Sequence, residues 1–321
     1  PYEESGPATT GLAHKRQAPA VEICRDVYAG TLRLREKAEK YLPRFPKEDR
    51  ESYEARKQGS VLFNAFRRTV GGLTGMVFRR DPRPGDDVPE RIREHLENID
   101  LAGRHFSVFA RDLFEAALID GHAHIFVDMP PADPDRIRTL ADERELRPYW
   151  VLIEKQDVLR FRYVLEHGRP VLTAFAYRTC VVVPDGEFGE REVWRIRDYR
   201  LEASEDGARR VTYRVFEFQK NASGDGGTWA EVDRGTMSIG RIPLVTCYVR
   251  RAGFMTSEPP LLDLALENIK HFQVRSDNDN VLHVASIPIL VLKGIQETNT
   301  LAIGPTIALK IDDPAGDARF I

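Results

Sequence analysis

The 321-residue chain is 42% apolar and 30% charged, with 47 Lys and Arg against 50 Asp and Glu, a net charge of −3. These proportions describe a globular protein with room for two domains or one large core, and they exclude a disordered chain. The charge balance argues against gripping nucleic acid by broad phosphate neutralisation, though not against brief contact with DNA. Cys24, Cys180 and Cys247 are far apart, odd in number and without a CxxC, so neither a disulfide framework nor a cysteine zinc site is expected, and a reducing compartment fits best. "PYEESGPATTGLAHKRQ" has no apolar signal-peptide core, and no apolar run approaches the roughly 18 residues of a membrane span. The chain starts at Pro1 and stops at "ARFI" in mid-pattern, which reads as part of a longer protein.

Residues 20–128 read as mainly helical. "VEICRDVYAGTLRLREKAEKYL" carries charge pairs at helical spacing, and "PRFPKED" is a turn. In "SVLFNAFRRTVGGLTGMVFRR" Ser60 is the expected N-cap, with Leu62, Phe66, Val70 and Leu73 on one face. Gly71, Gly72 and Gly75 are expected to bend or close that helix, and "RRDPRPGDDVPE" to be loop. "FSVFARDLFEAALIDG" places Phe106, Phe109, Ala110, Leu113, Ala117 and Leu118 on one face and Gly121 at the C-terminal cap. "HAHIFVD" then switches to period two, a strand, and "MPPADPDRIR" is a Pro-rich loop.

From Pro148 to about Arg250 alternating segments are separated by turn chemistry at "EHGRP", "PDGEFGE" and "KNASGDGG". This pattern predicts an antiparallel β region of hairpins. "GFMTSEPP" leads into a long helix, and "IPILVLKG" and "PTIALKID" read as short strands after it. In that helix Leu262, Ala265, Leu266, Ile269 and Phe272 form an apolar stripe, but Arg275 to Asn280 contains no apolar residue. The polar stretch raises the question of what such a helix packs against.

Motifs for chemistry are few. On a strand His122, His124 and Asp128 share a face, so the two imidazoles are weak candidates to share a metal ion. That arrangement resembles the HxH of metal-dependent amidohydrolases, but the alternating α/β order of that fold does not follow. The strand is expected instead to bury Ala123, Ile125 and Val127 and to turn its histidines to solvent or a neighbour. "SDNDN" begins like a calcium loop but lacks the Gly and the closing Glu, and "GGLTG" lacks the ending of a phosphate loop. "RRDPRPG" is diluted by Asp81, Asp86 and Asp87, as a solvated loop would be. No cofactor and no enzymatic activity are expected.

"PPLLDLALENIKHFQVRSDNDNVLHVASIPILVLKG" resembles a segment of tailed-bacteriophage portal proteins. Pro259, Pro260, Leu262, Asp263, Ala265, Asn268, Ser276, Asp277, His283, Pro288 and Gly294 stand at the matching positions. Upstream, Tyr41, Leu42, Pro43, Tyr53, Arg56, Asn64, Thr69, Gly75, Phe78 and Arg79 also match, as do Gly121, Asp128, Pro130 and "RPYW". Phe161 departs from the pattern, where Trp would be expected. The resemblance covers most of residues 35–321.

It implies an α+β portal fold with a mixed helical and antiparallel-β wing, a long stem helix and a small β-containing clip. The helical part of the wing would span 1–145, its β-rich part 146–250, the stem helix with its lead-in 251–286 and the start of the clip 287–321. A second stem helix and crown would lie beyond. The implied function is a structural ring, usually dodecameric, at the unique capsid vertex of the virion, assembled in the host cytoplasm. Double-stranded DNA passes through such a ring without sequence readout. Its partners would be further copies of itself, terminase, the major capsid and scaffolding proteins and the head-tail adaptors, with no membrane.

About 26 helical residues would span about 39 Å, enough to cross a ring wall. There the polar middle would face neighbouring copies and a wet bore. Lys270, His271, Gln273, Arg275, Asp277, Asp279, Asn280 and Lys293 are the channel or intersubunit candidates, and their mixed charge would let DNA slide. The alternatives are a metal-dependent hydrolase using His122 and His124, or a monomeric α+β binding module whose long helix docks a partner.

Overall fold

Gly30 decides the path of the first half of the chain. Its φ of 96° is open to glycine and costly for other residues, so the helical stretch breaks there into α1 (Leu12–Ala29) and α2 (Thr31–Glu36). The computed structural model describes residues 6–130, 146–203, 208–221, 226–285, 290–293 and 317–320, with side chains described as far as 283. A short 3₁₀ turn (Ala38–Lys40) follows, then α3 (Arg50–Gly59), capped by the Asp49 side chain accepting from the Ser52 amide at 2.9 Å.

The next helix, α4 (Ala65–Val77), departs from expectation twice. Its N-cap is Asn64, whose Oδ1 accepts from the Arg67 amide, while Ser60 ends α3 and donates to the Arg56 carbonyl. Gly71, Gly72 and Gly75 do not close it; the helix runs through all three to Val77. Phe66, Val70 and Thr74 are its buried positions, and Leu73 is exposed. The short α5 (Glu90–Leu96) precedes α6 (Phe106–Asp120). Gly121 closes α6 with a φ of 92°, as its place after the apolar run predicts.

The strands are β1 (His122–Asp128), β2 (Tyr149–Glu154), β3 (Val158–Glu166), β4 (Arg169–Asp185), β5 (Gly189–Ala203), β6 (Arg209–Lys220), β7 (Gly227–Met237) and β8 (Leu244–Tyr248). A small hairpin, β9 (Arg251–Gly253) with β10 (Thr256–Ser257), leads into α7 (Leu262–Ala285). After it, β11 (Leu290–Lys293) pairs with β12 (Asp317–Phe320). Every described pairing is antiparallel, so the fold is α+β.

Strands β3 to β7 form a five-stranded meander, with the two-residue turn His167–Gly168 between β3 and β4. Both turn residues have positive φ, the twist that suits a tight hairpin. The second sheet has the order β2-β1-β8 and so takes strands from both sides of residue 145. Most of "MPPADPDRIR", all of "PTIALKID", and Pro288 and Gly294 lie outside the described residues.

Three apolar clusters hold these layers. Ala123, with Phe109, Leu113 and Ala117, fills the space between α6 and one face of the three-stranded sheet. Phe126 on the other face packs among Phe175, Tyr177 and Tyr199 of the meander. Cys24, Val27, Leu34, Phe66, Val70, Ala265, Ile269 and Phe272 join α7 to the helical body. Phe126 is fully buried, with its ring centroid 4.5 Å from that of Tyr199. Phe126→Ala should cost about 3–5 kcal/mol in a urea melt. Phe188→Ala, at an exposed hairpin tip, should stay within about 0.5 kcal/mol of wild type.

Candidate functional surface and buried junction

Helix α7 is where the sequence placed function, and its packing answers how a polar helix stays folded. Ala265, Asn268, Ile269, Phe272 and Ser276 fall at i, i+3, i+4, i+7 and i+11 and are its buried residues. Two of the five are polar, and each meets a polar partner in the same protomer. Asn268 Oδ1 accepts from the Phe66 amide at 3.0 Å, and its Nδ2 donates to the Phe63 carbonyl at 2.9 Å. One carboxamide thus satisfies an amide in the first turn of α4, which has no partner within its own helix, and the carbonyl of the segment before it.

Two turns further on, Ser276 Oγ lies 2.7 Å from Ser60 Oγ and 3.5 Å from Arg56 Nη1. The Arg56 guanidinium is itself held by Glu48 through two bonds of 2.8 Å and donates to the Pro43 carbonyl. That doubly bonded guanidinium holds the Glu48 carboxyl below its ordinary range. Asp277 lies 3.8 Å from Arg56, and Gln273 donates to the Tyr41 carbonyl. One side of the polar middle of the helix is therefore a polar seam within the protomer.

The remaining candidates stand away from this seam. Lys270 and His271 are exposed, with the His271 ring edge-on to Phe63 at 6.3 Å. Arg275 and Asp279 form a long i, i+4 ion pair of 3.9 Å, both half-exposed. Residues 278–283, including Asp279 and Asn280, are exposed on all sides. Lys293 is on β11, and its side chain lies outside the described residues.

The histidines are not where the sequence put them. Strand β1 is the centre of its sheet, with α6 over one face and the meander over the other, so both faces are covered and His122, His124 and Asp128 are all buried. The two rings lie 4.9 Å apart, but Asp128 does not join them. It sits four residues beyond His124, about 13 Å along the strand, and pairs instead with Arg197 at 2.9 Å. Among the described residues no group of three His, Cys, Asp or Glu side chains converges on a point that could hold a metal ion.

The imidazoles belong to a polar junction that the sequence did not reveal. Lys155, just after β2, directs its ammonium inward and donates to the Asp120 and Ser257 carbonyls at 3.0 and 2.9 Å and to Ser257 Oγ at 3.1 Å. Ser257 Oγ also lies 2.6 Å from His122 Nδ1, and His124 Nδ1 lies 2.9 Å from Thr246 Oγ1. The Ser257 amide donates to Gln17 of α1. Arg25 forks onto Asp120 at 2.8 and 2.7 Å and reaches Glu154. Gly121 has to be glycine here, because a Cβ would collide with Ser257 Oγ and the Glu258 carbonyl.

Burial governs the protonation of this cluster. It pushes Lys155 down to about 8 against the attraction of Asp120, and pushes the Cys24 thiol up to about 12. It also raises the Asp120 carboxyl, with Arg25 pulling the other way. A groove of about 670 Å³ opens beside α1, lined by Arg25, Asp26, Lys155, Arg160 and Arg178. Its charges are already matched: Arg160 bonds Asp198, Arg178 bonds Asp157, Arg33 bonds Asp26, and all three Lys155 protons are in use. It offers no uncommitted cation to a ligand.

A family model described as a domain of unknown function (DUF4055) matches residues 260–321, which begin two residues before α7. A search of curated proteins gives no match.

Two outcomes follow for stability. Asn268→Ala leaves the Phe66 amide without its partner, while the Phe63 carbonyl keeps the Ala65 amide at 2.8 Å, and chemical unfolding should show a loss of about 1–3 kcal/mol, against near-neutrality for Asn280→Ala. Burial pushes His122 down to about 2 and His124 down to about 3, with neighbouring positive charge adding to both. The unfolded chain titrates these rings near 6.5, so below that pH it takes up protons that the fold refuses. Stability is thus complete above about pH 6.5 and lost on acidification, by up to about 2.7 kcal/mol per pH unit from the pair. His124→Gln should flatten the slope of unfolding free energy between pH 6 and 4 by about 1.4 kcal/mol per unit; an unchanged slope would count against a neutral buried His124.

Proposed function

We propose that this chain is a subunit of a portal-type ring, a conduit for double-stranded DNA at a phage capsid vertex rather than an enzyme. What supports the reading is the division of labour along α7, taken with the likeness of its sequence to portal proteins. Its buried face is anchored in the protomer, while residues 278–283 near its end are all exposed. That part of the helix carries apolar side chains left largely open by the described residues: Val281 is 62% and Leu282 58% exposed, and Val274 one helical repeat earlier is 51% exposed. With Asp277 and Asn278 between Val274 and Val281, this side of the helix mixes apolar and polar groups, as a surface that meets a neighbouring copy does. A helix of 24 residues spans about 36 Å, long enough to line a ring wall.

The charge pattern supports a bore rather than a clamp. Lys270 and Arg275 are followed by Asp277 and Asp279 along α7, so phosphates passing along it would meet both signs. On this reading the 1–145 and 146–250 segments are the wing, α7 is the stem helix and β11 opens the clip. Terminase, capsid and scaffolding proteins and head-tail adaptors would be the partners, and the virion vertex the location. A hydrolase built on His122 and His124 has less support, because among the described residues no third ligating side chain joins the two rings and Asp128 is paired with Arg197.

Negative-stain images of the purified full chain should show annular particles with a central hole. A monodisperse monomer at high concentration would sink the ring and favour a single-copy binding module, and stoichiometric zinc or manganese would favour the hydrolase. In assembled particles, Asp277→Asn with Asp279→Asn should leave the annulus intact and shift release of bound duplex DNA to higher salt. Unaltered DNA behaviour would remove both carboxylates from the mechanism.

A further inference from the structure

Two exposed surfaces of the protomer are complementary to each other. The first is the outer face of α4. From Ser60 to Arg80, which holds α4, the chain has no acidic residue and four basic ones, Arg67, Arg68, Arg79 and Arg80. Arg68, Gly72, Gly75 and Met76, at i, i+4, i+7 and i+8, share the side of α4 that faces away from buried Phe66, Val70 and Thr74. Met76 is 74% exposed. A Cβ at Gly72 or Gly75 would touch nothing within 4 Å, so no contact inside the protomer asks for glycine there. Each costs about 1 kcal/mol relative to alanine in a helix interior. The face is a shallow glycine floor beside a methionine, edged by arginines. Arg79 and Arg80 make no ion pair with any described residue.

The second surface is the tip of the β4–β5 hairpin. Phe188 stands at its turn, 92% exposed. Cross-strand pairing sets Val182 opposite Glu192 and Pro184 opposite Glu190, so one face of the tip carries two apolar side chains and two carboxylates. Asp185 and Glu187 extend the acidic rim, against a single Arg191, and all of these residues are exposed. An aromatic residue ringed by acids on one surface thus matches an apolar floor ringed by arginines on another.

We propose that the β4–β5 tip of one copy of this chain docks on the outer face of α4 of the next, with Phe188 over Gly72 and Gly75 beside Met76. Glu190 and Glu192 then face Arg79 and Arg80. The contact joins two different patches, so it is heterologous and propagates head to tail; a closed rotation makes it a ring. This deepens the ring reading and rests on it for the closure, but not for the contact itself.

The test places the photoreactive analogue p-benzoylphenylalanine in place of Phe188 in the full chain. An equal mixture of light and heavy-isotope protein is then irradiated, and the cross-linked peptides are mapped. The expected product joins position 188 of one copy to the α4 peptide containing Met76 of another. Gly75→Leu fills the floor with a residue that favours helix, so it should not lower the melting temperature, yet it should cut that product at least about tenfold. Arg79→Glu with Arg80→Glu should do the same, and Glu190→Arg with Glu192→Arg in the same chain should restore it. Cross-links from tip to tip, to any other element, or only within one copy overturn the proposal, as does a yield indifferent to Gly75→Leu. Annular particles without this cross-link would remove the docking and leave the ring. The cross-link in open chains or dimers alone would keep the docking and remove the ring.

Discussion

The carboxamide of Asn268 does what no apolar residue at that position could do. Ala265, Ile269 and Phe272 press α7 onto the helical body, but apolar contact is non-directional and tolerates small slides along the helix axis. Asn268 does not tolerate them, because it bonds a donor and an acceptor on either side of the start of α4. A shift of one residue would rotate it by about 100° and leave the Phe66 amide and the carboxamide itself unmet. Ser276, against Ser60 and Arg56, repeats the constraint two turns on. The polar seam therefore sets the register and rotation of α7, and with them the direction in which Val274, Val281 and the charged flank point.

The other end of α7 is fixed by the junction around Ser257. Its hydroxyl, carbonyl and amide reach His122, Lys155 and Gln17, so β1, the end of β2 and α1 all meet the segment that leads into the helix. Gly121 lets that segment pass close against the end of α6. The Ser257 proton is best placed on the His122 side, since Lys155 already donates to the same oxygen and a neutral imidazole can accept. Buried charge is tolerated because Lys155 is bonded to carbonyls and Asp120 is forked by Arg25. The sheet and the helical body are thereby tied at one polar point rather than only by apolar contact.

How much of this was legible depended on how local the cause was. The α6 stripe with its Gly121 cap and the His167–Gly168 turn have causes within a few residues, and the sequence pattern located both. The period-two pattern of "HAHIFVD" also identified a strand, but alternation assigns two faces without saying whether one or both are covered. The meander that buries the histidine face comes from residues more than thirty positions away. Asn64 rather than Ser60 caps α4 because the extended segment between them was invisible to a cap rule that sees only residue type. The seam had a signal that periodicity carried unread. Asn268 and Ser276 occupy stripe positions of α7, where a polar residue implies a buried partner. That partner lies some two hundred residues earlier. Arg56, Asn268 and Ser276, three of the residues on which the sequence resemblance was drawn, are residues of this seam.

That mounting bears on how a ring could work. A wall that DNA slides past should not cling to it, whereas the joints between subunits should hold under load. In this chain the two demands fall on different elements. Around α7 the charges are of both signs, with Arg275 partly spent on Asp279, so that surface has little net attraction for phosphate. The strongly one-signed surfaces, arginines with glycine and methionine on α4 and carboxylates with phenylalanine on the hairpin, lie on elements of the proposed wing. Opposed charge around an apolar anchor raises the rate and specificity of subunit encounter, and burying the anchor supplies hold. Because the seam locks α7 to α3 and α4, any docking on α4 would be transmitted to the rotation of α7 without a hinge between them. The orientation of the channel-facing helix would then be set by the joint between neighbours, and identical joints around the ring would present identical helix faces to the bore.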